Sequence, residues 1–333
     1  MSYCVTDYNF LSTPEFYKLL LHYFGFIAIP LHIFGAYCIL IKTPSIMQSV
    51  KWNLFNFHFW NCFCDIGFSL LTTPFVIVPA FAWYPLGIFN YFGISTAWQT
   101  IILVYIVCVV FVSIIGIFEN RYLVLIACDH TWRKFRTTYF IFNLLIACLT
   151  FVPFIFTLPD QNEARQFFLD RWKCAPDYAP LDTVFFLATA TRFVARTGGV
   201  VVAFFFIQII VFYKLTGKVL KQQMGRNISK NTAELLKKFR ETLMIQLSIP
   251  VFIMLFPIAY LGASNWLWFH FQFLNNISFI IISSHGFFST IVMLIVHRPY
   301  REFAIGLTRF GTIYSRNEEN SHMFRDMRSS VIT

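Results

Sequence analysis

The chain has 333 residues, 57% of them hydrophobic and only 13% charged, with 43 phenylalanines. A soluble domain carries about a quarter charged residues, and this few polar side chains do not cover a solvated surface of that size. A soluble globular fold is excluded, and the net charge of +10, gathered into a few connecting segments, reads as membrane topology with anionic lipid as its neighbour rather than as a nucleic-acid footprint.

A hydrocarbon core of about 30 Å takes roughly 20 helical residues to cross. Seven apolar runs meet that length: Tyr17 to Ile41, Leu54 to Ala80, Ala97 to Phe118, Thr138 to Leu158, Ala195 to Tyr213, Leu243 to Leu261 and Phe273 to Val296. They predict an all-α membrane protein, a seven-transmembrane helix bundle over residues 1–314 with a disordered polar tail over 315–333. The segments Lys42 to Trp52, Arg121 to Arg136, Lys214 to Arg240 and the tail from His297 hold 20 of the 26 Lys and Arg residues. Basic loops stay cytoplasmic, so the N-terminus is expected outside and the C-terminus inside.

Before the first span the chain shows no signal-peptide pattern, so that span is expected to direct insertion. Cys4 lies in this outer segment. The second span carries Asp65 about 18 Å from its cytoplasmic start at 1.5 Å per residue. A carboxylate at that depth faces a bundle interior and finds partners; Asn275, Asn276, Ser283, Ser284 and His285 of the seventh span are candidates. It reads either as a structural hydrogen bond or as part of a switch or ion site.

The third span ends at "FENRY", where Glu119, Asn120, Arg121 and Tyr122 close an uncharged run. Two residues apart on a helix is about 200°, so Glu119 and Arg121 do not face each other. A partner for Glu119 is expected elsewhere, with Lys237, Lys238 and Arg240 as candidates; simple anchoring at the membrane boundary is the alternative. The fourth connection, Pro159 to Thr183, is the longest outer loop and a candidate lid. It holds Cys174, which with Cys4 makes the only pair of thiols expected in an oxidising compartment, so one disulfide is possible.

Arg192 and Arg196 share a helix face at i and i+4. They read as snorkelling side chains or as a cationic wall for an acidic ligand. "NTAELLKKFRETL" opens the sixth span, with Asn231 and Glu234 spaced as a capping box, so this helix is expected to project into the cytoplasm. After the seventh span "HRPYREF" places Arg298, Pro299 and Tyr300 at the head of a short amphipathic helix. No catalytic motif is present. No metal site or cofactor is expected either: His22, His32, His58 and His270 read as packed or interfacial, without ligand spacing to an acid or Cys.

Seven spans, an outer N-terminus and an acid–Arg–Tyr cluster after the third span resemble a G-protein-coupled receptor. The stretches "STPEFYKLLLH", "IPLHIFGAYCILIKTPSIMQSVKWNLFNFHFWNCFCDIGFSLLTTP", "YPLGIF", "FENRY", "LPDQ" and "HRPYREF" together resemble nematode serpentine receptors of class H, from Ser12 to Phe303. The resemblance implies a chemosensory receptor in the plasma membrane, in sensory cilia, that couples a small-molecule ligand to a heterotrimeric G protein. Depth and polarity nominate Trp98, Gln99, Tyr105, Thr189, Tyr260, Gln272 and Asn275 as ligand-lining residues, with an aromatic cavity suited to a small odorant-like molecule. The chain departs from familiar receptors in lacking an Asn-Pro-x-x-Tyr in the seventh span and a Cys at the outer end of the third. A small-solute transporter or channel is the rival reading; it calls for broken half-helices or internal symmetry, and the sequence shows neither.

Overall fold

The computed structural model describes residues 9–126, 130–150, 152, 156, 158–172, 182–223 and 230–307. Cys4, Cys174 and the tail 315–333 lie outside them, as does the side chain of Arg240.

The first span forms α1, Pro14–Ile41, capped by the Thr13 hydroxyl, which accepts from the Phe16 N–H at 3.3 Å. Proline at the first helical position costs nothing, since its missing N–H has no intrahelical partner there. The second, α2, Gln48–Ile66, runs into a π-helical turn, Gly67–Leu71. There the chain leaves the helix, which corrects the expected span to Ala80. Thr72 and Thr73 donate their hydroxyls to the carbonyls of Gly67 (2.8 Å) and Ser69 (3.0 Å), closing the helix end. Residues Pro74–Ile77 (β1) and Ala82–Pro85 (β2) then pair as an antiparallel hairpin, joined by Phe185–Phe186 (β3) from just after the long loop. The fold is therefore mainly helical but not all-α.

A one-turn helix, α3 (Ile88–Tyr91), precedes α4, Thr96–Leu125, which is seven residues longer at its end than the apolar run because Glu119 and Arg121 are buried within it. Next come α5 (His130–Leu149), α6 (Gln161–Trp172) in the long loop, α7 (Thr191–Gln223) and α8 (Lys230–Leu267). α8 is already helical at Lys230, so Asn231 lies inside the helix and not at its N-cap, while the expected extension ahead of the apolar run is present. The seventh run is two helices, α9 (Gln272–Ser283) and α10 (His285–Val296), bent by 43°. The sequence reading expected no such break. Residues 298–307 form α11.

Among the described residues α1, α4 and α7 are long and apolar enough to cross a membrane, and the bent α9–α10 pair makes a fourth. In α2, the side chains Asn53, Asn56, His58, Asn61 and Asp65 lower the hydropathy, and all but Asn61 bond to neighbouring helices. Asn56 donates to Ser113 Oγ at 2.9 Å and Asn53 to the Gly116 carbonyl at 3.3 Å, fastening α2 to α4. Gln208 of α7 donates to Asn143 of α5 at 2.9 Å. Polar bonds of this kind replace the hydrophobic driving force that is missing between helices in lipid.

One core lies along α4, built from Ile106, Ile115, Phe118, Phe205, Phe212 and Met293; a second, with Tyr17, Phe75, Tyr84, Phe168 and Phe186, seals the end that carries the sheet. Phe26, Ile33, Leu145, Ile207 and Phe256 are exposed, an apolar outer surface that water would penalise and lipid does not.

Candidate functional site

The site is built around the break between α9 and α10. Three successive polar side chains turn back onto the end of α9: Ser283 Oγ donates to the Ile280 carbonyl (2.9 Å), Ser284 Oγ to Ile281 (3.0 Å) and His285 Nδ1 to Ile282 (2.9 Å). They add side-chain bonds to carbonyls that already share the Ser284 N–H at this helix end. On the other side of the break, the carboxylate of Asp65 accepts the N–H groups of Gly286 (Oδ1, 2.9 Å) and Phe287 (Oδ2, 2.6 Å). A carboxylate at a helix N-terminus meets both the open donors and the positive end of the helix dipole. Asp65 is 2% exposed, so these bonds act with little screening.

Two histidines complete the ring. His32 Nε2 and His285 Nδ1 each lie 3.3 Å from an oxygen of Asp65, and His32 Nδ1 lies 3.1 Å from Thr290 Oγ1. Gly286 is required by this approach, since a Cβ there would stand 2.7 Å from both carboxylate oxygens. Asp65 thus joins α1, α2 and α10. Of its expected partners, His285 is brought to it; Asn275 and Asn276 lie elsewhere. The expectation that no histidine has ligand spacing to an acid or Cys is corrected as well: His32 meets Asp65, and His58 and Cys62 are one helical turn apart with His58 Nε2 and Cys62 Sγ at 3.5 Å. The i, i+4 spacing of His58 and Cys62 was legible; the role of His32 needed the packing of α1 on α2.

At the end opposite the sheet, Glu119 is fully buried and accepts from Trp132 Nε1 (2.9 Å) and Arg136 Nε (3.0 Å), both on α5. This corrects the expected pairing with α8, where Lys237 and Lys238 are exposed. Trp132 and Arg136 are i and i+4 on one face of α5, the signal that identifies the true partners. Asn120 donates to the Ser49 carbonyl at 2.7 Å, and Tyr122 packs on Trp132 and Phe212. Arg121 is buried near His297, whose pKa is lowered to about 4, first by burial and then by the Arg121 charge. Tyr300, fully buried, shares a hydrogen bond of 2.7 Å with Thr43 and packs on His297. Pro299 is half-buried, and Arg298 is exposed and pairs with Glu302 at 2.6 Å.

At the sheet end the nominated ligand-lining residues divide. Gln272 donates to the Val76 carbonyl (3.2 Å), Asn275 to Val78 (3.4 Å), and Tyr260 OH to Asn275 Oδ1 (3.1 Å). Tyr17 OH reaches Pro74 at 2.9 Å, Asn265 reaches Pro79 at 3.3 Å, and His270 Nδ1 donates to Val78. Burial is the main cause of the lowered pKa of His270. Of the polar groups expected to line a pocket, Gln272 and Asn275 therefore grip the hairpin, and Tyr260 reaches it only through Asn275. Gln99 is buried and donates to the Ile94 carbonyl at 2.8 Å. Trp98, Thr189, Arg192 and Arg196 are exposed, with the Arg192 guanidinium 5.2 Å from the Trp266 ring centre. Tyr105 instead lines a cavity of about 370 Å³ between α2, α4 and α5, with Asn53, Asn56, Trp60, Ser113 and Arg136.

Comparison with known proteins places the chain in a family. The family model described as "Serpentine type 7TM GPCR chemoreceptor Srh" matches residues 12–310. The Caenorhabditis elegans protein "Serpentine receptor class H-72" is 27% identical over 309 residues, covering 90% of this chain and 88% of its own length. A chain matched over nearly all of its helices, with a buried acid–Arg–Tyr cluster at one end and a sealed sheet at the other, is a multi-pass membrane protein belonging to the serpentine class H family of chemoreceptors.

Proposed function

We propose that the protein binds a small chemical cue at its sheet end, facing outside, and activates a heterotrimeric G protein at its Arg121 end, facing the cytoplasm, in the ciliary membrane of a chemosensory neuron. The observation that carries this reading is Asp65 bridging α2 to the head of α10 across a bent seventh span. A carboxylate held by two N–H groups of a half-helix is a joint with two packings, and a ligand shifts such an equilibrium only by its differential affinity for them.

Gln272 and Asn275 are engaged with the hairpin, and Tyr260 holds Asn275, so the cue acts by competing for or tightening those bonds. The change passes along α9 to the break, through Asp65 to α10, and on to His297 and Arg121. There Arg121 leaves its buried place and meets the G protein. Glu119, Asn120 and Tyr122 hold the frame from which it moves, with Tyr300 pinning α11 to the end of α1. Lys237, Lys238 and Arg240 on the projecting start of α8, with Arg298, supply basic surface to the same partner. Arg192 and Arg196, exposed at the start of α7, favour an acidic cue. A disulfide between Cys4 and Cys174 would tie the N-terminal segment over the hairpin.

A panel of small volatile and water-soluble compounds, applied to cells expressing the receptor with a broadly coupling Gα, tests the reading. A concentration-dependent G-protein signal absent from control cells is expected. Solute uptake or ionic current without nucleotide exchange would favour the transporter reading and overturn this one.

A further inference from the structure

Beside Asp65 lie His32, His58 and Cys62, three side chains that the receptor reading does not use. His58 and Cys62 are i and i+4 on α2, Asp65 follows at i+7, and His32 faces them from α1, so four metal-ligating side chains share one stripe and its neighbour. One ring nitrogen from each of His32 and His58 and the Cys62 thiol lie within 4.8 Å of one another. His32 Nε2 and Asp65 Oδ2 are 3.3 Å apart, and His58 Nε2 and Cys62 Sγ 3.5 Å. A tetrahedral ion with zinc–nitrogen and zinc–sulfur bonds of about 2.0–2.3 Å sets neighbouring ligand atoms about 3.3–3.6 Å apart. Two edges of such a tetrahedron are present; His32, His58 and Cys62 form the three-ligand core, and Asp65, which meets it through His32, completes the fourth vertex as the ligands draw inward.

The hydrogen-bond directions point the same way. The Thr290 hydroxyl has one proton, which it donates to the Gly286 carbonyl at 2.8 Å. Its 3.1 Å contact with His32 Nδ1 therefore requires an N–H on that nitrogen. The other nitrogen, Nε2, then turns a lone pair toward a carboxylate oxygen 3.3 Å away, an arrangement that needs a cation between them or a proton on the ring. Thr290 is also the outer hydrogen-bond partner that fixes the tautomer of a metal-bound imidazole. Gly35 makes room for the His58 ring, since a Cβ there would lie 2.8 Å from its Cε1.

We propose that His32, His58, Cys62 and Asp65 form a binding site for one transition-metal ion of the zinc class, between α1 and α2. Two imidazoles, a thiolate and a carboxylate suit Zn²⁺ by donor type. Two negative ligands also neutralise the ion, as a site within the bundle demands. Binding takes one proton from the Cys62 thiol. His58 Nε2, which donates to the His32 carbonyl at 2.9 Å, exchanges that bond for the metal by carrying its proton on Nδ1. No electron is transferred. The ion would lock α1, α2 and the Asp65 joint together, making the metal a modulator of the receptor; the site itself does not depend on the receptor reading.

The test uses full-length protein without a histidine tag, in lipid nanodiscs. Equilibrium dialysis against Zn²⁺ with elemental analysis should find one chelator-removable ion per chain, and Zn²⁺ should raise the unfolding temperature. Co²⁺ in its place should give a thiolate-to-metal charge-transfer band. Cys62→Ala should abolish that band and weaken affinity at least about tenfold, Thr290→Val should weaken it about ten- to a hundredfold, and Cys64→Ala should change neither. Wild-type protein that retains no metal, or a Co²⁺ band that survives in Cys62→Ala or vanishes in Cys64→Ala, would overturn the proposal, and the wild-type result stands whether or not the variants fold.

Discussion

Gly286 has no side chain because Asp65 occupies the space one would fill. Its hypothetical Cβ would stand 2.7 Å from both carboxylate oxygens, so Gly286→Ala pushes the acid off the head of α10. Overpacking of this kind costs about 1–3 kcal/mol, and a thermal melt in detergent should show it, with Gly262→Ala, where nothing lies within 4 Å of the added Cβ, as the harmless control. His297 makes a second prediction at this scale, through pH. Its folded-state pKa is lowered from 6.5 to about 4, so between those values the unfolded chain binds a proton that the folded chain refuses. Stability is therefore greatest above pH 6.5, falls as pH drops toward 4, and changes little further from this group below that. His297→Asn should flatten the slope of unfolding temperature against pH in that window; an unchanged slope would place the titration elsewhere.

At the scale of elements, the helices were legible and the sheet was not. The run from Pro74 to Ala80 is apolar throughout, and a short apolar run does not distinguish a buried strand from the end of a helix by periodicity. Strand formation followed from tertiary partners: Gln272, Asn275, Asn265, His270 and Tyr17 reach its carbonyls from distant parts of the chain. The same limit applied to Glu119, whose isolation from Arg121 followed from helix geometry while the choice of Arg136 over the α8 lysines depended on how α5 packs on α4. The break in the seventh span was spelled by Ser283, Ser284 and His285, yet only the presence of Asp65 opposite makes those residues a joint. Replacing Gln272 and Asn275 together by Leu should deprive the hairpin of two donors at about 0.5–1.5 kcal/mol each. Hydrogen–deuterium exchange over residues 74–85 should then quicken, and unchanged exchange would show that the hairpin is held by its apolar contacts alone.

For the whole molecule, the account joins a sealed sheet end, a joint at Asp65 and a buried arginine at the opposite end into one coupled path. The loop charges require an N-terminal epitope to be reachable on intact cells and a C-terminal one to be hidden; both on one side would contradict the seven-span arrangement. The path itself is tested at its last residue. Full-length receptor in lipid nanodiscs, mixed with βγ and each Gα class in turn, should speed nucleotide exchange above the receptor-free rate for at least one class. Arg121→Ala should return that rate to the receptor-free level while leaving the surface expression as in the wild type. A wild-type receptor that speeds exchange on no Gα class, or an Arg121→Ala variant that speeds it as well as the wild type, would contradict the account.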